Sequence, residues 1–175
     1  VIRVPFRIDT DKVGRIETEE KQKASIRGLH ILLVEDNELN MEIAEFMLQN
    51  EGAYVTKAWN GQEAVEIFEK SKPDEFDVIL MDIMMPVMNG YEATKMIRSL
   101  DRKDAKKISI IAMTANAFIE DRIRAKEAGM DEHLSKPIVI DEVIRTILRC
   151  VHFDKEFKNT YSERSADSCS EVTGK

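Results

Sequence analysis

The sequence predicts a doubly wound α/β domain, a five-stranded parallel sheet with helices on both faces, and three observations carry that prediction. The runs ILLV, VILM and ISIIAM are almost wholly apolar, as expected for strands whose two faces are both covered. Segments with helical spacing of apolar residues separate them. The polar residues that could do chemistry fall where these runs stop. Strands are expected at His30–Val34, Tyr54–Ala58, Asp77–Met81, Ile108–Met113 and His133–Lys136. The more polar second (YVTKA) and fifth (HLSK) suit the edges of the flavodoxin-like order 2-1-3-4-5.

Each intervening segment has an apolar stripe. Leu39, Ile43, Phe46 and Met47 fit one helical face, as do Ala64, Ile67 and Phe68, and Ala93, Met96, Ile97 and Leu100. The helix between Phe118 and Ala128 has the thinnest stripe, Ile119 and Ile123, and should be the least firmly docked. Val143, Ile144, Ile147, Leu148 and Val151 form the last stripe. Gly52 and Gly129 sit where helices should end. Trp59, beside Asn60-Gly61, reads as a loop anchor, and the charge run Asp101–Lys107 as a solvated loop.

The folded domain is expected to span residues 29–151. Residues 1–28 lack apolar periodicity beyond VIRVPF and read as a linker, and residues 152–175 as a polar, disordered tail. A first residue of Val rather than Met suggests a fragment. The formal net charge of −7 favours a cationic or metal-dependent partner over a nucleic acid. The apolar runs fall short of a membrane span, so no direct membrane contact is expected. Cys150 and Cys169 form no metal-ligand spacing, and His30, His133 and His152 are scattered. A reducing, cytoplasmic setting fits them.

In this strand order ligands bind beyond the carboxyl ends of the strands, at the switch between the first and third. Strand 1 ends in Glu35-Asp36, strand 3 in Asp82, strand 4 in Met113-Thr114 and strand 5 in Lys136-Pro137, all on one edge. A lone Asp at a strand end is often a cap; three carboxylates, a hydroxyl and a lysine at one switch point need another account. Two like charges about 4 Å apart repel by roughly 4 kcal/mol at an effective dielectric near 20. The carboxylates therefore need a divalent cation or shifted pKa values. All-oxygen donors point to Mg²⁺ or Mn²⁺, which bind alongside phosphate. Metal, lysine and hydroxyl around one carboxylate suit phosphoryl transfer, with the carboxylate attacking phosphorus.

The segments LLVEDNELN, VILMDIMMPVMNGYEA, IIAMTANA and LSKPI resemble the receiver domain of two-component response regulators over about Leu29 to Val151. The resemblance implies Asp82 as phosphoacceptor, with Asp36, Asp82 and the Met84 carbonyl binding Mg²⁺ and Glu35 joining through water. It implies that Thr114 bonds the phosphoryl group and that Lys136 pairs with it, or with Asp82 before phosphorylation. It also implies a cis Lys136–Pro137 bond and a sharp start of the third helix at Gly90. Asn116 falls where the family tunes phosphoryl lifetime. His133 stands where the family usually has a Tyr or Phe that swings inward on activation. An inward imidazole would favour the neutral form, so activation should weaken as pH falls.

VIRVPF resembles the last strand of a histidine-kinase ATP-binding domain. That implies the C-terminal receiver of a hybrid kinase. The expected partner is a histidine kinase or histidine phosphotransfer protein, and the expected state a monomer or weak dimer. Isolated, the domain is not expected to be an enzyme beyond catalysing its own phosphorylation and slow dephosphorylation. Two alternatives are a haloacid-dehalogenase-type aspartyl-phosphate hydrolase and an interaction-only receiver. The first has a second Asp two places after its nucleophile, where this chain has Met84. The second requires a lost acceptor, acid pair or lysine, and none is missing.

Overall fold

The computed structural model describes residues 25–115 and 119–151. Strands β1 (His30–Val34), β2 (Tyr54–Ala58), β3 (Val78–Asp82), β4 (Ser109–Thr114) and β5 (Glu132–Ser135) form one parallel sheet in the order β2-β1-β3-β4-β5. Between them lie α1 (Glu38–Asn50), α2 (Gly61–Lys70), α3 (Gly90–Ser99) and α4 (Ile119–Ala128). A last helix, α5, occupies residues 140–151 up to the end of the described chain. VIRVPF, Asn116, Phe118, His152, Cys169 and the polar tail lie outside the described residues.

Alternate residues of each central strand feed opposite cores, because successive side chains point to opposite faces. Ile31, Leu33, Leu80, Ile111 and Met113 meet Met41, Ala44 and Leu48 of α1 and Val143, Ile144 and Ile147 of α5. Leu32, Val34, Ile79, Met81, Ile110 and Ala112 meet Ala64, Val65 and Phe68 of α2, Ala93 and Ile97 of α3, and Ala125 of α4. Gly52 and Gly129 end α1 and α4 with φ of +86° and +95°, where a left-handed residue closes the helix.

Several expectations are corrected. The stripe Leu39, Ile43 and Phe46 does not face the core; Leu39 and Phe46 are each 65% exposed. The buried stripe of α1 is Met41, Ala44 and Leu48, rotated by part of a turn. Met96, Ile119 and Ile123 are likewise exposed, and α4 buries only Ala125 and Ala128. Its thin docking was expected; the residues that do the docking were not. Strand β3 ends on Asp82, one residue later than expected, because Asp82 still pairs in register with Met113. Asp77 precedes the strand and accepts a bond from the His30 amide at 2.8 Å. β4 and β5 are shifted by one residue, in opposite directions. Trp59 is 39% exposed, and its amide donates to Glu63 at 2.6 Å.

The charge run is not simply solvated. The Arg102 guanidinium stacks 4.7 Å from the Phe68 ring centroid and donates to the carbonyls of Phe68, Glu69, Ser71 and Lys72, closing the end of α2. It also pairs at 2.6 Å with the buried Asp104, which accepts from the Asp74 and Ala105 amides. Hydrogen bonding from Arg102 leads the causes that hold the Asp104 carboxyl down to about 2. This group's stabilisation is therefore complete above its unfolded value, about pH 4. It is lost as pH falls through about 2. Asp104→Asn should lower stability at pH 7 by about 1–3 kcal/mol. Urea unfolding repeated at decreasing pH should show that gap narrowing below about pH 4; a gap independent of pH would contradict the pairing.

Candidate functional site

Four elements bring their ends to one edge of the sheet. Glu35 follows β1 directly and is tied to the sheet by its amide, which donates to Ala58 O at 3.1 Å. Asn37 caps α1, its side chain accepting from the Asn40 amide at 3.1 Å. That start places Asn40 over the strand end, where its side-chain nitrogen donates to Glu35 Oε1 at 3.0 Å. Sequence reasoning missed Asn40. The one available signal was the Asn three residues after the cap.

Asp82 is fixed by the β3–α3 junction. The Ile83 amide donates to Met113 O at 3.2 Å, and the Gly90 amide to Ile83 O at 3.0 Å. Gly90 lies so close under the strand end that a Cβ there would sit 2.3 Å from Asp82 O. A side chain at this position would force the loop away from the site. Gly90 is thus needed for close approach, not for a positive φ. Asn89 and Glu92 form a reciprocal capping box that starts α3 at this point.

Glu35 and Asp82 are only 1% and 5% exposed, and Lys136 Nζ lies between them, 2.5 Å from Glu35 Oε2 and 2.7 Å from Asp82 Oδ2. The Met84 amide donates to the other Asp82 oxygen at 3.3 Å. Desolvation lifts the Asp82 pKa above the usual carboxylate value; the Lys136 contact opposes this and the Glu35 charge adds to it. Burial alone would lower the Lys136 pKa, but hydrogen bonds to Asp82 and Glu35 outweigh it and the ammonium is held more firmly. The site is an ion-paired triad, with Lys136 serving two carboxylates where one was expected.

Thr114 ends β4, one register step past the Met113 that pairs with Asp82, and is buried; its carbonyl accepts from the Lys136 amide at 2.8 Å. The Lys136–Pro137 bond is cis. Asp36 is exposed beside Glu35, and donor oxygens of Glu35, Asp36 and Asp82 lie within 4.8 Å of one another. Three carboxylates at this spacing, without His or Cys, fit a hard divalent cation. His133 stands apart from this cluster. It is half-buried on β5, with Nδ1 3.8 Å from Glu132, beside Ile119, Ile123 and Met130.

Such a site, at the switch point of a doubly wound sheet, belongs to proteins that handle phosphate and metal at a strand-end carboxylate. The chain belongs to the response regulator receiver domain family, whose sequence model matches residues 31–148. It is 37% identical over 128 residues to hybrid signal transduction histidine kinase L of Dictyostelium discoideum, covering 73% of this chain and 7% of that protein. It is 35% identical over 163 residues to histidine kinase 1 of Arabidopsis thaliana, covering 76% and 14%. The chain thus spans a small part of these relatives. Among solved structures it matches the receiver domain of a Pseudomonas aeruginosa sensor histidine kinase, with magnesium coordinated in the active-site cleft, at 40% identity and a TM-score of 0.65. That match covers 71% of this chain and 98% of the other. The chain is therefore a receiver domain of two-component signalling, homologous to those of hybrid kinases.

Removing the shared cation should expose the repulsion it screens. Lys136→Met should lower stability in EDTA by about 3–5 kcal/mol, the usual effect of leaving a buried charge without its partner. Added Mg²⁺ should recover part of the loss in urea unfolding curves. A variant as stable as the parent in EDTA would show that Lys136 does not hold the carboxylates together.

Proposed function

We propose that Asp82 accepts a phosphoryl group from a phosphohistidine on a histidine kinase or histidine phosphotransfer protein. The observation that carries this reading is a carboxylate almost sealed from water, yet gripped by Lys136 and facing Glu35 at the site edge. A poorly hydrated carboxylate is a better nucleophile than one in bulk water, and Lys136 keeps it ionised. In the transfer, the phosphorus–nitrogen bond of the donor breaks and its electron pair returns to the imidazole, which takes up a proton. A phosphorus–oxygen bond forms to Asp82. Lys136 then pairs with the new phosphoryl oxygens, and the Thr114 hydroxyl donates to one of them. Low exposure restricts water at the product and slows its hydrolysis.

Glu35, Asp36, Asp82 and the Met84 carbonyl would hold Mg²⁺. When bound, this ion neutralises charge on the phosphoryl oxygens. Magnesium is favoured over manganese because the similar Pseudomonas aeruginosa receiver holds magnesium. Membership of a hybrid kinase is supported by the relatives of this chain, which are named as such kinases. A hydrolase of the haloacid-dehalogenase type is disfavoured because Met84 takes the place of its second acid. An interaction-only receiver is disfavoured because the acids, hydroxyl and lysine are all present.

Incubation with phosphoramidate and Mg²⁺ should give a labile mass increase of one phosphoryl group in the parent and none in Asp82→Asn, with circular dichroism unchanged. Undiminished incorporation in the variant would remove Asp82 as acceptor.

A further inference from the structure

Three carboxylates share the candidate cation site, but they are not equally available to an ion. Asp36 is exposed. Asp82 gives one oxygen to Lys136 at 2.7 Å, and its other oxygen meets the Met84 amide at a long 3.3 Å. Glu35 is held through both oxygens. Oε2 accepts from Lys136, and Oε1 accepts from the Asn40 side chain at 3.0 Å. Glu35 is also almost fully buried. Turning either oxygen elsewhere would break a bond to a charged acceptor where water does not readily replace it.

Asn40 is fixed at two points. Its main-chain amide donates to the cap, Asn37 Oδ1, at 3.1 Å, which sets the first turn of α1, and its side-chain nitrogen is spent on Glu35. It shares a cavity of about 320 Å³ with Lys136, and the other side chains there, Ile43, Ala44, Pro137 and Ile138, are apolar. They offer the Asn40 nitrogen no competing acceptor. Divalent ions differ in what they ask of such a site. Mg²⁺ demands near-octahedral geometry and keeps several of its waters, whereas Ca²⁺ takes about six to eight oxygens and accepts more carboxylates directly. Withholding one carboxylate therefore costs Ca²⁺ more than Mg²⁺.

We propose that Asn40 is a positioning residue that sets the cation preference of the site. By holding Glu35 Oε1 against the first turn of α1, it keeps this carboxylate from binding an ion directly and favours Mg²⁺ over Ca²⁺. This rests on the reading of Glu35, Asp36 and Asp82 as a divalent-cation site.

The test is a double-mutant cycle on the full chain: the parent, Asn40→Ala, Glu35→Gln and the two together. Ala favours the helix and Asn37 keeps its main-chain bond, so α1 starts as before. Mg²⁺ and Ca²⁺ are titrated separately, and the amide resonances of residues 82–84 report each dissociation constant. Asn40→Ala should tighten Ca²⁺ binding roughly tenfold, the effect of one bond to a charged acceptor, and leave Mg²⁺ binding nearly unchanged. In the Glu35→Gln background the same substitution should leave the ratio of the two constants where it was. An unchanged ratio in Asn40→Ala would overturn the inference. So would an equal shift in both backgrounds, or a shift produced by weaker Mg²⁺ binding alone. If neither ion moves these resonances in the parent, the cation-site reading itself is at fault.

Discussion

Two carboxylates buried within reach of one ammonium set the terms for the rest of the structure. Glu35 directly follows β1 and Asp82 ends the neighbouring β3, so the sheet sets the separation of their backbones. Lys136 must therefore arrive from the far side of β4, and Thr114 O accepting its amide sets where it arrives. The apolar runs of β1, β3 and β4 supply the stability that tolerates this cluster. Replacing such a cluster by apolar residues would often cost nothing or stabilise the fold. The proposed role of Asp82 as phosphoacceptor accounts for its presence, since the cluster holds a poorly hydrated carboxylate at the strand end.

The two edges of the sheet divide the work. At the amino edge, Arg102 ties the end of α2 to the segment before β4 through four carbonyls and Asp104. Arg98 does the same for α3, reaching Ala105 O, Ile108 O and Gly129 O. Guanidinium groups suit this role because their fan of donors can serve several helix-end carbonyls at once. At the carboxyl edge the loops are positioned by caps and glycines and leave their side chains to the site. Gly61 illustrates this: its amide donates to Met88 O at 3.1 Å, and a Cβ there would come within 2.6 Å of the same oxygen.

Much of this was legible in the sequence because parallel strands covered on both faces leave unbroken apolar runs, and the polar residues that end them mark one edge. The order of strands, Asp82, Thr114, Lys136 and the acid pair followed from that pattern. The buried face of α1 did not. Leu39, Ile43 and Phe46 repeat with helical spacing as well as Met41, Ala44 and Leu48 do, and the bulkier set faces outward. Periodicity shows that a stripe exists, but not which of two stripes meets the sheet. Arg102 and Asp104 were misread for another reason. Charge predicts exposure only when no cluster of helix-end carbonyls lies nearby, and that cluster is assembled by the fold from residues thirty positions away. Asn40 escaped notice because its value lies in what it does to Glu35.

The contact between Lys136 and Glu35 joins residues separated by 101 positions. Between them lies every strand but the first, together with α1 to α4. The triad draws on the ends of β1, β3 and β5, so it is absent from any fragment that lacks one of them. On the proposed reading of Asp82 as phosphoacceptor, a chain that has not brought β1, β3 and β5 together has no competent acceptor.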